Sequence, residues 1–322
     1  MDNEQPLLTI GIPTWNRARE LQGAIRAWIT EIESVDEKVE IVVSDNASDD
    51  ETKSIMLEIS QQVPFLRYFR NETNLGPDLN FLQIFKQSNG QYIWLFSDDD
   101  FIEKGALAEV LRIIRSRHPS YISTNFAYCD YDGKIIQRQP QNECMIREDI
   151  PNADINRVFS QRNHWLSFMS CNIYRRDLMD IAQYEKNVAI VPSWIQVYVT
   201  AHVLSREPSG YLSSLCAVKA RSGNSPSGPA VFAVFMPRAF VFICERFSMD
   251  RRVRIKLIRG IMSSFISFKA YVAREWSDIE VLSLGVPIHY KVARKIWPFR
   301  PLVRTAWRTK RFIAGEGFTL PW

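Results

Sequence analysis

Tyr92-Ile-Trp-Leu-Phe-Ser-Asp-Asp-Asp100 carries an apolar run straight into three consecutive carboxylates. The run reads as a buried strand, the kind found in a parallel sheet covered by helices. Adjacent carboxylates repel one another, and each is costly unless exposed or paired with a cation. At the end of a buried strand, a divalent cation relieves that repulsion. Hard cations take one or two carboxylates and complete their shell with phosphate oxygens and water. The same triplet also suits an exposed turn that caps a helix starting near Glu103.

Working outward, the first hundred residues alternate between strand and helix signals. Strands are expected at Leu7–Ile12, where Pro13 ends the run, at Val39–Val43, at Phe65–Phe69 and at Tyr92–Phe96. Helical spacing falls on Arg17–Glu31, Asp49–Gln62, Pro77–Lys86 and Glu103–Arg115. This βαβα order predicts an α/β fold with a mainly parallel central sheet and helices on both faces. Ligands bind such sheets at the carboxyl ends of the strands. The polar clusters Pro13–Arg17, Ser44–Thr52, Asn71–Asp78 and Ser97–Asp100 all fall there. Further on, strands are expected at Tyr121–Tyr128, Gly133–Ile136, Phe168–Arg175 and Tyr211–Lys219. Helices are expected at Asn152–Phe159, Asp177–Tyr184 and Val191–Leu204.

Composition narrows the classes. The 322 residues are 46% hydrophobic and 24% charged, a globular balance. No apolar stretch reaches the ~20 residues needed to span a bilayer, and Met1–Leu8 lacks a basic-then-apolar leader pattern. Five cysteines at wide spacing and four histidines without HExxH argue against a disulfide framework and a zinc hydrolase. Reducing cytosol is the expected compartment. There is no GxGxxG after the first strand and no GxxxxGK[ST], which disfavours a Rossmann dehydrogenase and a P-loop NTPase.

The net charge of +4 hides a division. Residues 1–237 hold 23 Lys and Arg against 30 Asp and Glu, while residues 238–311 hold 17 against 5. The boundary falls at a Gly, Ser and Pro-rich stretch, so 222–237 is expected to be a linker between 1–221 and 238–322. The basic tail also carries Phe240, Phe242, Phe247, Trp276, Trp297, Phe299, Trp307 and Trp322. Cations with interfacial rings suit an anionic membrane surface; a helical bundle with a solvated basic face suits the same composition. No RNP, KH or zinc-finger pattern supports nucleic acid.

Four motifs in order resemble glycosyltransferase family 2. Leu8-Thr-Ile-Gly-Ile-Pro-Thr-Trp-Asn-Arg17 resembles its opening strand and loop, and Ile41–Thr52 its second-strand signature. Asn71-Glu-Thr-Asn-Leu-Gly76 resembles its Asn-x-Gly turn, and Tyr92–Asp100 its acidic motif. The resemblance implies a GT-A fold: a nucleotide-sugar-binding half at 1–118 and an acceptor half at 119–221. It places Pro13, Thr14, Asn16, Arg17, Asp45, Asn46, Gly76, Asp98 and Asp99 around the donor nucleotide. It also gives Asp98 and Asp100 a Mg²⁺ or Mn²⁺ that bridges the two phosphates. Residues 74–81 and 94–100 look most like bacterial O-antigen and capsule transferases, abequosyltransferase-like proteins among them.

That resemblance implies a nucleotide-diphosphate sugar as donor and a lipid-linked glycan, carried by undecaprenyl diphosphate, as acceptor. It implies a cytoplasmic, peripheral location at the inner membrane surface, where the basic tail docks; the tail also permits a homo-oligomer. One motif departs from the family. Inverting members usually carry an acidic base, often Glu-Asp, where this chain has Val191-Pro-Ser-Trp-Ile-Gln196. His164, Asp177, Asp180 and Glu185 are the candidates nearby. Two other classes share parts of the pattern: a nucleotidyltransferase, which needs a Gly-rich basic loop that Gly11–Arg17 lacks, and a non-catalytic GT-A-like binding module.

Overall fold

A computed structural model describes residues 5–130, 132–138, 145–221 and 236–257. The first half runs β1 (Leu8–Thr14), α1 (Ala18–Ile32), β2 (Val39–Asp45), α2 (Thr52–Gln62), β3 (Leu66–Arg70), α3 (Pro77–Gln87), β4 (Tyr92–Leu95), β5 (Phe101–Ile102) and α4 (Ala106–Arg117). The second runs β6 (Tyr121–Cys129), β7 (Ile135–Arg138), β8 (Ile150–Ala153), α5 (Ile155–Arg162), β9 (Asn172–Arg175), α6 (Ile181–Asn187), α7 (Ile195–Arg206), β10 (Gly210–Arg221) and α8 (Met236–Arg246).

One sheet joins them in the order β3-β2-β1-β4-β9-β6-β10-β5, with β7 on β6 and β8 on β10. Strands β1 to β4 are parallel neighbours, and β6 pairs parallel with β10. Strand β9 is antiparallel to both β4 and β6, and so reverses the direction at the centre. The expected α/β architecture, a mainly parallel central sheet with flanking helices, is what the chain adopts.

Side chains pack on both faces. Leu8, Ile10 and Ile12 of β1 join Leu21, Ile25 and Trp28 of α1 and the apolar side of α4. On the other face, Ile84 and Phe85 of α3 pack with Tyr174, α5, α7 and α8. Gly11 makes that closeness possible: a Cβ there would lie 2.2 Å from Ile84 Cγ2. In α8, Met236, Ala239, Phe240 and Ile243 are buried in the α7 core, and Phe242 stacks on Tyr198. Core side chains therefore come from both sides of the expected linker, whose residues 222–235 lie outside the described ones. So do Trp276, Trp297, Phe299, Trp307 and Trp322.

Some element limits differ from the expectations. β1 continues through Pro13 to Thr14, because β4 ends opposite Gly11 and leaves that end of β1 paired with β2 alone. A proline is tolerated where one ladder edge is free. Asn152 belongs to β8, not to a helix; Asp154 then caps α5 by accepting from Arg157 N–H. Among the described residues, no helix is long and apolar enough to cross a membrane.

Candidate functional site

Parallel register brings the carboxyl ends of β1, β2 and β4 to one rim. Leu95 of β4 lies beside Gly11, so the chain after β4 leaves the sheet next to the β1–α1 loop. Thr14 Oγ1 donates to Asp98 Oδ2 at 2.8 Å. Arg17 Nη1 donates to Asp98 Oδ1 at 3.0 Å and to Asp99 Oδ2 at 2.8 Å. Residues expected at one nucleotide site from positions 84 apart thus touch directly.

The acidic triplet is not an exposed turn. Asp98 and Asp100 are 4% and 3% exposed. Burial pushes the Asp98 carboxyl up to about 6, with the Arg17 charge opposing the rise. Burial, and then the Asp99 charge, pushes Asp100 up to about 8. The partners of Asp100 are neutral: the Ser170 hydroxyl at 2.5 Å and the Arg221 backbone N–H at 3.2 Å. Arg17 is held above its ordinary value; burial opposes this, but Asp98 and Asp99 outweigh it. Asp99 also accepts from Ser97 Oγ and keeps a partly exposed side chain.

Asp45 closes the next edge of the rim. It is fully buried and accepts from Ser48 N–H at 2.9 Å and Tyr68 OH at 2.6 Å, with Arg70 Nε 3.3 Å away. Burial, then Asp45 itself, raises the Tyr68 phenol. Asn46 reaches the third loop by donating to Asn74 Oδ1 and to the Gly76 carbonyl, and by accepting from Leu75 N–H. Gly76 holds φ at +81° just before α3, a conformation that favours glycine. Asn16 has φ of +52°; its N–H donates to Ser48 Oγ, and its Oδ1 accepts from Asp49 N–H. Asn16 therefore ties two loops together, and Arg17 takes the N-cap position of α1. Pro13 sits in β1 opposite Ser44.

Of the base candidates, Asp177 and Glu185 lie away from the triplet. Arg175 lies opposite Tyr92, at the amino end of β4 and away from the triplet. Asp177 pairs with Arg175, and Asp180 caps α6 by accepting from Gln183 N–H. Glu185 pairs with Lys86 on the surface. The His164 side chain lies outside the described residues.

Several site residues were not evident from sequence. Trp15 stands 51% exposed on the rim between Thr14 and Asn16. Tyr68 and Arg70 share a face of β3, and parallel pairing of Asp45 with Arg70 is the signal that finds them. Ser170 and Arg221 reach Asp100 from 70 and 121 residues away, and no local pattern announces them.

The donor set at the triplet suits a hard cation. It offers carboxylate oxygens, with Asp100 held by neutral donors. Among the described residues no three His, Cys, Asp or Glu converge on one point. A hard cation such as Mg²⁺ or Mn²⁺ needs only one or two carboxylates, with phosphate oxygens and water completing its shell, so the residues present fit such an ion.

The sequence model of the family described as Glycosyl transferase family 2 matches residues 9–181, more than half of the chain. The chain belongs to that family. Abequosyltransferase RfbV of Salmonella typhimurium is 36% identical over 119 residues, 36% of this chain and 35% of that protein. The GalNAc(5)-diNAcBac-PP-undecaprenol beta-1,3-glucosyltransferase of Campylobacter jejuni is 33% identical over 109 residues, 33% of this chain and 34% of that protein. The chain thus matches about a third of the length of either relative. The crystal structure of S. aureus TarS 1-349 shares the fold, with a TM-score of 0.59 at 17% identity, covering 98% of this chain and 93% of that one. The same S. aureus protein in complex with UDP-GlcNAc gives 0.60 at 15% identity, covering 98% and 93%. In this family member the GT-A core is the shared part, and the rim just described lies within the matched residues up to Ser170.

Proposed function

We propose that this chain is a glycosyltransferase that moves a sugar from a nucleoside-diphosphate donor to a glycan acceptor during bacterial surface polysaccharide synthesis. The observation that carries this reading is the contact of Thr14 and Arg17 with Asp98 and Asp99, which joins the loops after β1 and β4 into one acidic rim. Pro13, Thr14, Asn16, Arg17, Asp45, Asn46 and Gly76 line the donor side in this reading, with the exposed Trp15 ring beside them. Asp98 and Asp100 would hold Mg²⁺ or Mn²⁺. When bound, that cation neutralises the charge that develops on the departing diphosphate. Arg17 is the chain's own cation at the same place and shares that task.

The acceptor in this reading is a glycan on undecaprenyl diphosphate, as the Campylobacter relative's name has it for that protein. The basic segment 238–322 would then meet anionic lipid at the inner membrane surface. Because α8 is part of the core, a truncation at 222 would disturb folding. The test is therefore flotation of the full chain with vesicles containing or lacking an anionic lipid. Equal recovery from both vesicles would sink the docking.

The transferase reading is tested by a melting panel of UDP, GDP, CDP and dTDP with and without Mn²⁺, on wild type and Asp100→Ala. A ligand at 100 times its Kd raises stability by about 2.7 kcal/mol. A shift from one nucleotide that needs both Mn²⁺ and Asp100 is the expected result. No shift from any of the four would overturn the reading.

A further inference from the structure

Ser170 lies in a short 3₁₀ turn, Met169–Cys171, between apolar neighbours. It is fully buried, and a buried hydroxyl is costly unless it is hydrogen-bonded. Its Oγ donates to Asp100 Oδ2 at 2.5 Å and accepts from Ser97 N–H at 3.0 Å. Its carbonyl accepts from Trp94 Nε1–H at 2.8 Å. One residue from the second half of the chain thus grips β4, Ser97 in the loop after it, and the last carboxylate of the triplet.

We propose that Ser170 is a positioning residue that fixes the Asp100 carboxylate for the cation carried by the donor diphosphate. The proposal rests on the reading of the site as a donor site. Asp100 Oδ1 is held independently by Arg221 N–H, so both carboxylate oxygens have one fixed donor. Each oxygen has two lone pairs, and one on each stays open to a cation. Both donors are neutral, so neither competes with the cation for the carboxylate's charge. Asp98 differs: Arg17 already pairs with one of its oxygens, and Thr14 donates to the other. Ser170 orients and Asp100 binds; the serine itself touches no substrate.

Substituting Ala for Ser170 removes the donor to Asp100 and the acceptor for Ser97 N–H while nearly keeping the volume. Partners that orient metal ligands typically change metal affinity by 10–100-fold. The readout is the Mn²⁺ concentration that gives half of the nucleotide-dependent melting shift, using the nucleotide among UDP, GDP, CDP and dTDP that shifts wild type. Ser170→Ala is expected to raise that concentration by about 10–100-fold and to leave the size of the shift at saturating Mn²⁺ unchanged. Ser170→Thr, which keeps the hydroxyl, is expected to restore most of the affinity. If Ser170→Ala does not melt cooperatively, Ser170→Cys, with its weaker donor, is read on the same scale, and an intermediate rise is expected.

A Mn²⁺ midpoint unchanged by loss of the hydroxyl would overturn the proposal. So would a smaller shift at saturating Mn²⁺, because the serine would then only hold the fold. A wild type with no metal-dependent shift would overturn the donor-site reading itself, and that outcome appears before any substitution is made.

Discussion

Two regions of the molecule, the strand ends of β1, β2 and β4 and the start of α7, handle buried acid groups in opposite ways. At the ends of β1, β2 and β4, carboxylates stand in pairs with named partners: Asp45 with Tyr68 and Arg70, Asp98 with Thr14 and Arg17. At the start of α7 the polar groups are neutral or borrowed. Ser193 and Ile195 N–H donate to Asp78, which comes from α3. Gln196 donates to the Ser167 carbonyl, and its buried Oε1 has no partner among the described residues. A rim of pinned carboxylates suits a cation-bearing diphosphate; at the α7 start the backbone N–H groups are already taken by the buried Asp78 carboxyl. The lesson is that Asp78, although distant in sequence, is the acid that stands at the α7 start where Val191–Gln196 has none.

The largest effect is expected at Asp98. Asp98→Ala strips Thr14 and Arg17 of their shared partner and is expected to lower kcat/KM about a thousandfold, about 4 kcal/mol. This is read from sugar-nucleotide turnover; a loss under tenfold would remove the acidic rim from the chemistry.

The α7 rim is sharpened by pH. Burial raises Asp78 from 3.8 to about 6, against its two backbone N–H partners. Between those values the folded state binds more protons than the unfolded one. Stability contributed by this group is thus full below pH 4 and is lost as pH rises through about 6, by at most about 3 kcal/mol. Urea midpoints from pH 4 to 7 should fall in wild type relative to Asp78→Asn; parallel curves would show that Asp78 is not buried as described.

A core change tests what joins the rims. In Gly11→Ala the new Cβ meets Ile84 on α3, the helix that carries Asp78. About 2 kcal/mol of destabilisation is expected from overpacking, measured by denaturant unfolding. Tyr68→Phe removes one bond to Asp45 and should weaken nucleotide binding by about 1 kcal/mol, or fivefold, in calorimetric titration. The smallest effects belong to Asp177→Asn and Glu185→Gln, which lose only exposed ion pairs. Their turnover should stay within about twofold of wild type, and a hundredfold loss in either would mark it as the base.

Periodicity made β1 to β4 and their helices readable, because a fully buried parallel strand is a short apolar run and its ligand loop follows at once. Asp45 and Asp98–Asp100 were legible for the same reason: Asp45 closes β2, and the triplet comes within five residues of the end of β4. Strand β5, only Phe101–Ile102, was too short to carry a pattern. Asn152 sat in a helical-looking stretch, and the pairing of β8 with β10 through Ile150 and Ala153 overrode that local preference.

By itself, then, the sequence determined the α/β order, the carboxyl-end placement of the acidic loops and the absence of an acid at 191–196, all local properties of contiguous residues. Tertiary structure alone decided that Arg17 neutralises Asp98, that Ser170 and Arg221 hold Asp100, and that Asp78 reaches α7. Those contacts span 70 to 121 residues, and no local spacing encodes them. They form because burying a carboxylate is costly until a donor from elsewhere in the chain meets it.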